Sequence, residues 1–230
     1  MNFATMKQVA PAKVAGPSQA ARLVDVSEVL VGALLNEALH KIERAAMWKW
    51  AEAEETLVID AGTQVPTTQP ADLALPLMAR NLGTRRDLTF HDDRQRFEYD
   101  NDPTSQRTGR VESYSIYGGD LRFYPKASQD EAIAFRYYRA WPDMVDDTDE
   151  PPFPETWHDL LTSYAAAKIA LRLQPVAGKY LPESAARPFQ EEWEQGLYAM
   201  VNSDLALTTF DAVEQHDLQE SMWRGEGADW

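Results

Sequence analysis

The stretch Val111-Glu-Ser-Tyr-Ser-Ile-Tyr-Gly-Gly-Asp-Leu-Arg-Phe-Tyr-Pro125, continuing through Ile133-Ala-Phe-Arg-Tyr-Tyr138 to Trp141-Pro142, decides the fold class. Val111 to Tyr117 alternates in character, as a half-buried strand does. Gly118-Gly119 is a two-residue hairpin turn, because glycine takes positive φ without steric cost. Leu121 to Tyr124 is a second strand, closed by Pro125, and Ile133 to Tyr138 is a third. The pattern predicts an antiparallel three-stranded meander, with Tyr114, Ile116, Leu121, Phe123, Ile133 and Phe135 on its core face. Tyr117, Tyr124, Tyr137 and Tyr138 fall to the other face. Aromatics on both faces imply two covers, one from this chain's helices and one from a neighbouring subunit or tail component.

Downstream, Asp146-Asp-Thr-Asp-Glu150 forms an acidic loop without the central glycine or twelfth-position glutamate of an EF-hand. It reads as solvated charge that favours the positive end of the next helix. Pro154 opens that helix, and Trp157, Leu160, Leu161, Tyr164, Ala167 and Leu171 form its apolar stripe until Gln174-Pro175 ends it. A further helix carries Phe189, Trp193, Leu197, Met200 and Val201 to about Asn202, with Pro188 at its first turn or at a kink.

Upstream, Ser27 to Trp50 is a helix. Ser27 is its N-cap, and Leu30, Leu34, Leu35, Ala38, Leu39 and Ile42 give helical periodicity. Trp48 and Trp50 read as core anchors at its end. Glu55 to Asp60 is a strand. Leu88–Phe90 and Phe97–Tyr99 suggest a small second hairpin. Met1 to Ala20, with Pro11 and Pro17 among alanine, glutamine, serine and glycine, reads as a flexible arm, either frayed or ordered against a neighbouring subunit.

The fold class is therefore α+β, an antiparallel helical bundle with a small antiparallel β-meander subdomain. The arm spans residues 1–20 and the main domain 21–203, with helices at about 27–50, 155–173 and 188–202 and the β subdomain at about 55–140. An acidic C-terminal helix or tail follows over 204–230. Over residues 208–230, Phe210, Met222, Trp223 and Trp230 make a poor helical stripe among six acids. They are candidate partner-binding residues, since tryptophan is enriched at binding hot spots; the bland alternative folds the tail onto its own core.

The 230 residues carry 22 basic and 37 acidic side chains, a formal charge of −15, and no cysteine. The absence of cysteine excludes disulfides and Cys-type zinc sites. The acidic balance argues against sequence-specific DNA binding, because phosphates are held by Lys and Arg. No run approaches the roughly 18 apolar residues of a membrane span, and the N-terminus lacks the pattern of a signal peptide. Phosphate-loop, dinucleotide, zincin and nucleophile-elbow motifs are absent. The histidines, at 40, 91, 158 and 216, are scattered, and His158 reads as a solvent or interface residue. No catalytic residue, cofactor or metal is assigned.

The order of these features resembles the head-to-tail adaptor proteins of tailed bacteriophages. It runs from an aromatic strand and tight turn to Leu121-x-Phe123-x-Pro125, then Tyr137-Tyr138, Trp141-Pro142, an acid/Pro loop, and Trp157-x-x-Leu160-Leu161-x-x-Tyr164-Ala-Ala-Ala167. Trp48-x-Trp50 before a strand belongs to the same pattern, while Leu75-Pro76-Leu77-Met78 fits only loosely an apolar-Pro element leading into a short helix or loop. The resemblance covers Ser27 to Leu173. It implies a structural virion protein of the neck or tail region, present in the host cytoplasm during assembly. Its partners would be the portal protein, a tail or nozzle protein, and further copies of itself in a dodecameric ring. DNA would pass through the lumen, and no membrane would be involved. The C-terminal tail is the favoured portal contact. A soluble carbohydrate-active or cell-wall hydrolase using Asp/Glu pairs is the alternative.

Overall fold

The computed structural model describes residues 1–15, 26–92, 108–172 and 185–207. The chain divides into two compact units. One combines residues 1–50 with 141–230, and the other holds 51–140.

The first unit is helical. Helix α1 is Phe3–Ala15, α2 is Glu28–Ala45, α3 is His158–Arg172 and α4 is Arg187–Leu207. Helix α3 packs against each of the other three. That position explains why burial extends almost all round it, from His158 through Tyr164 and Ala165-Ala166-Ala167 to Ala170. Helix α4 approaches α3 closely at Gly196. A Cβ there would lie 2.1 Å from Leu160 Cδ2, so only glycine fits the present packing.

Helix α2 starts as the sequence requires, with the Ser27 side chain accepting from Leu30 N at 3.2 Å. It stops at Ala45 rather than Trp50, and a 3-10 turn, Lys49–Ala51, follows. Trp48 is 1 % exposed, stacks on Trp50 at 4.8 Å and donates its Nε1–H to Ile42 O at 2.7 Å. The Asp204 carboxylate, buried near the end of α4, accepts from Lys49 N at 3.2 Å and so caps this turn.

The expectation of a flexible arm over residues 1–20 is corrected by α1. Phe3, Met6 and Ala10 are buried on one face of it. Its free N-terminal donors are satisfied in two ways. The Asn2 side chain accepts from Thr5 N at 3.0 Å, and the distant acidic loop supplies carbonyls, Asp149 O to Phe3 N at 2.8 Å and Asp147 O to Ala4 N at 3.1 Å. The acidic loop thus serves α1. Gly32 on α2 gives the Phe3 ring room, since a Cβ there would sit 3.1 Å from Phe3 Cζ.

Two further helix expectations change. The stretch from Pro154 begins with a 3-10 turn, Glu155–Trp157, before α3, and Leu171 is exposed rather than buried. Helix α4 runs past Asn202 to Leu207, so the predicted tail beginning at residue 204 starts inside a helix. Residues 208–230, with Phe210, Met222, Trp223 and Trp230, lie outside the described residues, as do 16–20.

The second unit is built of strands: β1 Glu52–Ile59, β2 Leu73–Asn81, β3 Arg86–Asp87, β4 Thr89–Phe90, β5 Thr108–Gly109, β6 Ser113–Tyr117, β7 Asp120–Tyr124, β8 Lys126–Ala127 and β9 Glu131–Arg139. They pair in the orders β1-β9-β2-β3, β4-β6-β7 and β5-β8. The β6–β7 hairpin forms as expected, with Gly118 at φ 61° and Gly119 at φ 91°. The three-stranded meander does not form. The outer edge of β7 is occupied by the segment after β1, where Phe123 N donates to Gln64 O at 2.8 Å and Leu121 N to Gln69 Oε1 at 2.9 Å. The third strand, β9, instead runs antiparallel between β1 and β2.

The Leu75-Pro76 segment is likewise a strand, β2, made irregular by register shifts on either side of Pro76. Leu88–Phe90 contains a short strand, β4, whose expected hairpin partner, Phe97–Tyr99, falls outside the described residues. Strand β4 pairs in parallel with β6.

The core of this unit joins both larger sheets. Leu57, Ile59, Ala79, Ile133, Phe135 and Tyr137 come from one, and Tyr114, Leu121 and Phe123 from the other. Tyr114 meets Phe135 edge-on at 6.0 Å. Ile116 is only partly buried against this cluster. A buried polar pair lies within it: Asn81 donates to Glu131 Oε2, which also accepts from Val111 N at 3.3 Å.

Candidate interaction surfaces

The four tyrosines read as an interface do not share a surface. Tyr137 is two residues from Phe135 and therefore on the same face, where it is 1 % exposed and stacks on Phe135 at 5.7 Å. Its hydroxyl donates to Asp72 Oδ1 at 3.0 Å and Glu55 Oε1 at 3.1 Å. Burial, then these carboxylates, raises its pKa well above the ordinary phenol value. It is a core residue holding β1 to the start of β2. Tyr124 is buried too. Tyr117 stands exposed at the hairpin tip, with the Arg122 guanidinium 5.2 Å from its ring centre. Tyr138 is half-buried on the sheet face opposite Tyr137. Parity along β9 already separates Tyr137 from Tyr138 in the sequence.

A second candidate surface is the outer face of the four-stranded sheet. It carries Val58 of β1, Ala132 and Ala134 of β9, and Leu75 of β2 beside Tyr138. Val58 and Leu75 are 43 % and 44 % exposed. The signal for it lay in the apolar residues of Leu73–Met78, which the two register irregularities disguised.

In the helical unit, His158 is buried rather than solvent-facing. Its Nε2 lies 2.9 Å from Phe153 O and its Nδ1 2.9 Å from the Met1 ammonium, which also contacts Glu155 Oε1 at 3.1 Å. The hydrogen bond from that ammonium lowers the pKa of Glu155. Tyr164 donates to Glu37, packs on Trp193 at 4.9 Å and has its pKa raised by burial and by Glu37. Asn36, His40 and Glu43, on one face of α2, hold the 141–144 segment. Asn36 pairs with the Met144 backbone at 3.0 and 3.1 Å, His40 lies 2.7 Å from Asp143, and Glu43 accepts from Trp141 N at 2.8 Å. Among the described residues, no three His, Cys, Asp or Glu side chains converge to hold a metal, and no helix is long and apolar enough to cross a membrane.

The family model for SU10 adaptor protein matches residues 1–213. The chain belongs to this family, which is a family of phage head-to-tail adaptors. The match takes in α1, which the sequence resemblance left out. No curated protein matches the chain. The family role is that of a structural phage protein and implies a component of the virion neck.

Proposed function

We propose that this adaptor forms a ring, a dodecamer, that joins the portal protein to the tail or nozzle protein and lets DNA pass through its lumen. The family match over residues 1–213 carries the reading. The formal charge of −15 supports it, because an acidic wall does not hold the phosphate backbone as DNA passes. Phe210, Met222, Trp223 and Trp230 of the acidic C-terminal segment are the portal-facing anchors. Tyr117 and Tyr138 remain candidates for the subunit or tail interface; Tyr124 and Tyr137 are withdrawn because they are buried.

Light scattering of the full chain, alone and with purified portal rings, tests the proposal. The expected result is addition to the portal in ring stoichiometry. Deletion of residues 208–230 should abolish that addition and leave the circular dichroism of the remainder unchanged. A full-length chain that stays unbound to its cognate portal would overturn the reading.

A further inference from the structure

The outer edge of β7 is taken by Gln64 and Gln69, and β3 and β4 are two residues long. Strand β1 differs. It has eight residues and pairs with β9 without a bulge from Glu52 to Ile59. The carbonyl of Val58 accepts from Thr67 N at 2.8 Å, away from β9. Antiparallel ladders alternate strictly, so the N–H and C=O groups of Thr56 and Glu54 point off the sheet in the same direction. Among the described residues these four groups have no hydrogen-bonding partner, and Glu54, Glu55 and Thr56 are all exposed.

We propose that this open edge of β1, centred on Glu54 and Thr56, is a docking site for an extended, lysine- or arginine-bearing segment of a partner protein, added as a further strand. Backbone bonding at an edge supplies affinity without selecting a sequence, and the flanking side chains select the guest. Here they are acidic. Glu54 is 62 % exposed, with Arg136 Nε 3.8 Å from its carboxylate, and Glu55 lies exposed on the opposite face of the strand, where it also accepts from the Tyr137 hydroxyl. A second copy of β1 laid antiparallel about the same centre would set Glu55 directly against Glu55, which is unfavourable for directly opposed strand residues. A basic guest would reverse that sign. The proposal does not depend on ring formation or on portal binding.

The probe is a fluorescein-labelled peptide of alternating lysine and valine, with a glutamate-for-lysine peptide as its counterpart, titrated against the full chain by anisotropy. Binding of the basic peptide is expected, with slowed hydrogen exchange at the Glu54 and Thr56 amides. Thr56→Pro removes one outward N–H and leaves the bonds to β9 and the net charge intact. It should weaken binding about tenfold. Glu54→Lys should weaken the basic peptide and favour the acidic one. A folded Thr56→Pro chain that binds as tightly as wild type would show mere attraction to an acidic surface and overturn the proposal. Should Thr56→Pro fail to fold, the exchange footprint on wild type decides: protection at Glu54 and Thr56 supports the site, and protection elsewhere removes it.

Discussion

The helical unit and the β unit of this adaptor are specified in different ways. Three of the four helices are read as local periods, but the neighbours within this unit are supplied from far along the chain: α1 is capped by carbonyls at 147 and 149, and the turn after α2 by Asp204. In the β unit the alternation of each strand sets which face is buried, yet says nothing about which strand lies alongside. Strand β9 is close in sequence to the β6–β7 hairpin but lies between β1 and β2. Its core residues nevertheless face the hairpin's, so a face assignment survived a wrong pairing. The lesson is that side-chain parity is a property of one strand, whereas pairing depends on which edge is still open.

The sharpest break of this comparison is Phe135→Ala. Phe135 is fully buried where the two sheets meet, packed against Tyr114 and Tyr137. Its loss should cost about 3–5 kcal/mol. Hydrogen exchange should show the loss of protection concentrated in β1, β2 and β9. Equal loss throughout α2 and α3 would mean that the two units unfold as one body.

Next in size is Met6→Ala. Met6 is fully buried in α1, and its truncation should destabilise the chain by about 2–5 kcal/mol in a denaturant titration. A frayed arm would give no change, so this variant separates the observed helix from the sequence expectation.

That expectation failed for a definite reason. Pro11 and the small residues around it look like breakers, yet Pro11 sits within α1. Asn2 as a cap, followed by Phe3, Met6 and Ala10 at helical spacing, was a legible signal. The carbonyls of the acidic loop were not, because nothing local ties residue 3 to residue 149. Ser27, Trp48 and the Gly118-Gly119 turn were legible because their roles are completed within a few residues. Leu75–Met78 was obscured by bulges that break the alternation on which strand recognition depends. Tyr124 and Tyr137 were misplaced as interface residues, the second against its own parity with Phe135.

The smallest expected effect tests whether the long-range seams of the helical unit depend on charge. His40 lies 2.8 Å from Glu43 and 2.7 Å from Asp143, and it is about one-third exposed. The hydrogen bond to Glu43, then that to Asp143, raises its pKa above 6.5, against some desolvation. A folded-state pKa above the unfolded value means that protonated His40 stabilises the folded chain. That contribution is fully present below the unfolded pKa and is lost as pH rises through the raised folded value. Wild type should therefore lose more thermal stability than His40→Gln between about pH 5.5 and 8.5. Partial exposure and screening keep the difference to no more than ~2 °C. Asn36 and Glu43 hold the same segment through the backbone of Met144 and Trp141, so the seam should persist in the variant and only the pH dependence should flatten. Parallel pH profiles for the two proteins would show that His40 contributes by shape alone.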